Sequence, residues 1–93
     1  MIVGILELQL RLFDTMSLKD KRQIIKSLKD RIGHKYNVSV AEVGDADRIG
    51  NSVLGIAMVA NEKRFVESAL YKIVDFVAKN PALSVTEYYI EMV

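Results

Sequence analysis

The sequence predicts an α+β domain of order βαββαβ, a four-stranded antiparallel sheet carrying two helices on one face. Three observations lead there: four segments alternate apolar and polar residues with a period of two, two others repeat apolar residues at helical spacing, and these interleave as strand, helix, strand, strand, helix, strand. Both helices have a single apolar arc, so one sheet face must cover both. With 93 residues the chain is one domain, 1–93, long enough to remove roughly 60–65% of its unfolded surface from water.

The first strand runs from Ile2 to Phe13. Ile2, Gly4, Leu6, Leu8, Leu10 and Leu12 share the core face, while Val3, Ile5, Glu7, Gln9, Arg11 and Phe13 share the other. Asp14 and Thr15 break the alternation. Ser17 with Asp20 resembles a capping box with a shorter acid than usual, so a helix starts there. Leu18, Ile24, Ile25, Leu28 and Ile32 form its apolar face, and Gly33 is its expected stop. Lys21 falls inside the apolar arc, where its stem is expected to lie over hydrophobic surface with its ammonium in water.

Tyr36 to Val43 is the second strand, with Val38 and Val40 inward and Ser39 and Ala41 outward. Residues 44–51, GDADRIGN, form a polar turn longer than a tight hairpin needs, expected to be mobile. Val53 to Ala60 is the third strand, with Leu54, Ile56 and Met58 inward. Asn61 is the expected N-cap of a second helix whose wide arc carries Phe65, Val66, Ala69, Leu70, Ile73, Phe76 and Val77. Asn80 and Pro81 end it, and Ser84 to Val93 is the last strand, with Tyr88, Ile90 and Met92 on one side and Val85, Glu87, Tyr89 and Glu91 on the other. This order is the split βαβ pattern of the ferredoxin-like sandwich, and right-handed crossovers make the first and third strands central.

Composition excludes several functions. Without cysteine there is no disulfide, no thiolate metal site and no thiol nucleophile, and the single His34 reads as a charge at the helix C-terminus. No metal or other cofactor is implied. The opening MIVGILELQL reads as a strand, not a signal peptide, and no apolar run spans a bilayer, so the chain is expected to be cytoplasmic and free of membrane. The net charge is only +1, yet seven of the thirteen basic residues (Lys19, Lys21, Arg22, Lys26, Lys29, Arg31 and Lys35) lie in the first helix. At 100° per residue, Lys19, Arg22, Lys26 and Lys29 fall within about 80° of one another beside the apolar face. That stripe is the candidate phosphate-binding surface; the bland reading is a solvated helix flank.

SLKDKR, KSLKDR and NVSVAEV, with the MIVGILELQL start, the LGIAMV strand and the PALSVTEYYIEMV end, resemble the YlxP-like family, a bacterial domain-of-unknown-function family. The resemblance covers essentially the whole chain. It implies a ferredoxin-like fold and a small cytosolic protein, often encoded beside translation-initiation and ribosome-maturation factors, with no established catalytic residues. Ribosome or RNA association is what that gene neighbourhood suggests. In the loop 44–51, where many relatives carry an aromatic, the only large apolar side chain here is Ile49.

Other candidate sites fail on their residues. Asp45 and Asp47 begin like a calcium loop, but Ile49 and Ile56 occupy later ligand positions, so a self-capped turn is the better reading. Glu7 and Glu42 could be imagined as a catalytic carboxylate pair, yet a salt bridge from a strand-edge glutamate to a helix lysine fits better. No acyl-phosphate-binding glycine loop follows the first strand, and no catalytic residue is assigned. The outward residues Glu7, Gln9, Gly55 and Ala57 leave no aromatic platform for base stacking and nothing that reads DNA sequence, so any RNA contact is directed at the backbone. The helix-free face is expected to show Val3, Ile5, Gly55, Ala57, Val59, Val85 and Tyr89, and self-association through it into a homo-oligomer, most simply a dimer, is expected. The alternative function is an oligomeric module that binds a small ligand or protein on that open face.

Overall fold

The computed structural model describes residues 1 to 93. The elements are β1 (Ile2–Leu12), α1 (Leu18–Lys35), β2 (Ser39–Gly44), β3 (Asn51–Ala60), α2 (Lys63–Ala78) and β4 (Leu83–Met92). The strands form one sheet in the order β2-β3-β1-β4 with every neighbouring pair antiparallel, the ferredoxin-like arrangement with β1 and β3 central. β2 and β4 are the two edges.

The alternation in β1 decides which face is covered. Leu6, Leu8, Leu10 and Leu12 are buried under the helices with Leu54, Ile56 and Met58 of β3. Ile25, Leu28 and Ile32 of α1, Val66, Ala69, Leu70, Ile73, Val74 and Val77 of α2, and Leu83 of β4 complete one core of 17 residues. Phe65, read as core, is instead 57% exposed, while Val74 is buried. The buried arc of α2 is centred near Ile73, so Phe65 and Val74 sit at its two margins, and the sheet covers only the second.

The helix ends also differ from expectation. α1 passes through Gly33 and stops when Tyr36 turns extended, its N–H donating to Ile32 O at 2.9 Å. No glycine has a positive φ, so the left-handed glycine stop is not used. At the start of α1, Ser17 Oγ accepts from Asp20 N at 3.1 Å, but the shorter acid reaches one residue further out, and Met16 N donates to Asp20 Oδ2 at 3.1 Å. In α2 the N-cap is Glu62, not Asn61, and no side chain caps it.

β4 contains the main surprise. Leu8 pairs with Tyr88 and Gln9 with Glu87, but Leu10 pairs with Val85, so Thr86 is the extra residue of a β-bulge. The bulge inverts the alternation, and Val85 turns to the helix side and packs against the core. Its expected place in a self-association face is therefore wrong. An even alternation carried back from Tyr89 cannot anticipate an inserted residue.

Candidate nucleic-acid interface

α1 lies over the β2 side of the sheet, and its flank beside the apolar arc carries the four predicted cations. Lys19 and Arg22 are exposed, and Lys29 is half-buried next to β2, where it lines an open hollow of about 380 Å³ with Asp30, Gly33, His34, Val38 and Val40. Lys26 Nζ donates to Asp30 Oδ2 at 2.9 Å across one helical turn, with the two side chains 77% and 57% exposed. Such a pair contributes little to stability and opens easily. The hydrogen bond from Lys26 and its charge hold the Asp30 carboxyl below the usual carboxylate range, with His34 and Lys29 adding to the positive field. The chain has one other ion pair, Lys21–Glu42, so Lys19, Arg22 and Lys29 have no acidic partner.

Lys21 is the residue that sequence reasoning misplaced. Its ammonium does not reach water: the side chain is 0% exposed. It meets Glu42 Oε2 at 3.1 Å and donates to the carbonyls of Asp45 and, at 3.3 Å, Ala46. Ser52 Oγ donates to the same glutamate oxygen at 2.6 Å. Burial opposes ionisation of Glu42, but the Ser52 hydroxyl, the Lys21 hydrogen bond and charge, and the charge of Lys29 outweigh it and hold its pKa below the ordinary value. The network ties α1, β2, β3 and the loop between the two strands together.

That loop is consequently anchored, contrary to the expected mobile turn. Besides the Lys21 contacts, Leu12 N donates to Gly50 O at 2.9 Å, Thr15 Oγ1 to Ile49 O at 3.0 Å and Arg48 N to Asp45 O at 3.0 Å. Asp45 takes a φ of 56°, in the left-handed region that Asp tolerates through local hydrogen bonding. The salt bridge preferred over a carboxylate pair is the one formed. Glu7 points to the open face, opposite Tyr89 and Gly55, whereas Glu42 points under the helices, so the two acids lie on opposite sides of the sheet.

The network was legible in one respect. Glu42 continues the inward phase of Val38 and Val40, and Ser52 that of Leu54 and Ile56, so two polar side chains at core-facing positions called for a buried partner. Of the residues assigned to self-association, Val3, Ile5, Ala57, Val59 and Tyr89 share the helix-free face. Val43 joins them over Gly55, where a β-carbon would lie 2.9 Å from its Cγ1. No helix is long and apolar enough to cross a membrane, and no group of three or more His, Cys, Asp or Glu side chains could hold a metal ion.

Comparison with known proteins agrees with the family resemblance. Residues 3–90 match a family model described as "Protein of unknown function (DUF503)". The chain is also 31% identical over 85 residues to the uncharacterized protein YlxP of Bacillus subtilis (strain 168), a match covering 91% of this chain and 92% of that protein. On both counts, the chain belongs to the DUF503, or YlxP-like, family.

Proposed function

We propose that this protein is a non-enzymatic accessory factor that docks on ribosomal RNA through the α1 flank, with Lys19, Arg22, Lys26 and Lys29 as the phosphate contacts. The observation that carries this reading is that none of those cations is locked in a buried pair. Lys19, Arg22 and Lys29 form no salt bridge within the chain, although the charge of Lys29 is felt by Asp30 and Glu42, and Lys26 is held only by an exposed pair. The acids of β1 and β4, Glu7, Glu87 and Glu91, project from the opposite, helix-free face, so a polyanion is oriented toward α1. Four phosphate contacts would lower affinity roughly 50- to 150-fold over a fourfold rise in salt. Small-subunit co-sedimentation measured across that salt range checks the slope. Changing all four residues to Glu should abolish the association; undiminished co-sedimentation of that variant refutes the reading.

A second reading rests on the sheet's other side. Val43, Val59, Tyr89 and Val93 are each more than half exposed, and Val3 and Ile5 lie between them. Under two-fold symmetry a second copy needs only this one self-complementary patch. Sedimentation at micromolar concentration should then show a species larger than 10.5 kDa, reduced to that mass by Ile5→Asp. A wild-type protein that stays at 10.5 kDa excludes it.

A further inference from the structure

We propose that the hollow between the end of α1 and the N-terminal half of α2 is a nucleotide-binding site, separate from the α1 flank. Its volume is about 460 Å³, within the range of small-molecule sites. The wall is apolar: Met58, Val59 and Ala60 at the end of β3, Phe65 and Ala69 on α2, and Tyr36 beyond α1. Phe65 is the notable member, because its place at the margin of the helix arc leaves a large aromatic ring more than half in water beside this hollow.

Charge selects the occupant. Lys35 and Lys72 stand in the same hollow, and neither has an acidic partner. Lys35 Nζ lies 4.7 Å from the centre of the Phe76 ring and 5.8 Å from that of Tyr36. A cation–π contact fixes where an ammonium sits without cancelling its charge, so Lys35 stays available to an anion. A neighbouring hollow shares Lys35, Tyr36 and Lys72 and adds Asp75, Phe76 and Lys79, giving three lysines to one acid around the common mouth.

A ligand that answers all of this has a flat aromatic body, a hydrogen-bonding edge and a phosphate. The body would lie against Phe65 and Tyr36, and the phosphate would go to Lys35 and Lys72. Asn37 and Ser68, which also line the hollow, offer donors and acceptors to a base edge that a hydrocarbon chain would not use. The same chemistry can come from a free nucleotide or from the terminal nucleotide of an RNA.

The test follows backbone amide NMR shifts of the full chain on addition of AMP, UMP, adenosine, decanoate or a 5′-phosphorylated hexaadenylate. Saturable shifts confined to residues 35–37, 58–60 and 65–72 are expected with the monophosphates and not with adenosine. Lys35→Glu with Lys72→Glu, and separately Phe65→Ala, should weaken binding roughly tenfold or more. All three side chains are exposed, so the variants should stay folded, with the loss of the Lys35 cation–π contact and helix-end charge lowering the melting temperature by only about 4–8 °C. Equal affinity for AMP and the hexamer assigns the site to free nucleotides; tighter binding of the hexamer, still lost in Phe65→Ala, assigns it to an RNA end. Either supports the proposal. Three results overturn it: no shifts at millimolar nucleotide, shifts centred on Lys19 to Lys29, or decanoate bound as tightly as AMP. The four-Glu variant of the α1 flank should keep mononucleotide binding, so failure of the docking reading and failure of this one are separable.

Discussion

Lys21→Met is expected to remove about 3–5 kcal/mol of folding stability, a large part of the ~5–15 kcal/mol that a domain of this size has. The substitution keeps the stem and its packing and deletes only the ammonium. It leaves the Glu42 carboxylate under the helices with Ser52 as its one hydrogen-bond donor and the Ala46 carbonyl without its donor, while the Asp45 carbonyl keeps only the Arg48 N–H. Urea unfolding should show a lower midpoint with little change in slope. The double variant Lys21→Met, Glu42→Leu should recover much of the loss, because replacing both members of a buried pair avoids an orphaned charge. A loss below about 1 kcal/mol would mean that water reaches the pair and that its burial is illusory. The same network carries acid sensitivity. The Glu42 pKa is lowered on folding, so its contribution is present above the ordinary value of 4.5 and lost as pH falls through the lower folded-state value. Glu42→Gln should flatten that part of the stability curve between about pH 5 and the acid limit.

Period-two alternation placed the core faces of β1 and β3 correctly, because a central strand packed on one side has no freedom to slip without moving its leucines into water. Edge strands are less constrained, and β4 shows the result: a single inserted residue at Thr86 sends Val85 to the face opposite the expected one. Lys21 failed for a different reason. Position on a helical wheel says that a side chain points inward, but not whether an inward cation snorkels or finds a carboxylate; that depends on a register between α1 and β2 that local periodicity does not contain. The basic stripe was legible because it needs only one helix. What it could not reveal is that Lys26 is shared with Asp30 while Lys29 leans toward β2, since spacing reports direction and not partners. The hollow beside Phe65 was hidden entirely, as its walls bring the end of α1 against the β3–α2 segment more than 20 residues further on.

Gly4→Ala is expected to destabilise the fold by about 1–3 kcal/mol, lowering the melting temperature by roughly 4–20 °C. Gly4 is buried on the helix side of β1, where side chains of α2 press against the strand backbone. A β-carbon there would lie 2.3 Å from Val66 Cγ1 and 2.9 Å from Leu70 Cδ1, with Met92 Cε at 3.5 Å. Leu70 could turn its terminal methyl aside, but Val66 is β-branched within a helix and holds one rotamer, so the added methyl must push α2 off the sheet. Reduced freedom of the unfolded chain offsets only about 0.4–1 kcal/mol. The clash is pairwise, which gives the prediction a sharp form. In a Val66→Ala background the obstructing Cγ1 is gone and the new methyl partly fills the space, so Gly4→Ala should be close to neutral there, with a coupling of at least about 1 kcal/mol. If the substitution costs the same in both backgrounds, or stabilises the parent, then the glycine is not what lets α2 settle onto β1, and the close approach of helix and strand has another cause.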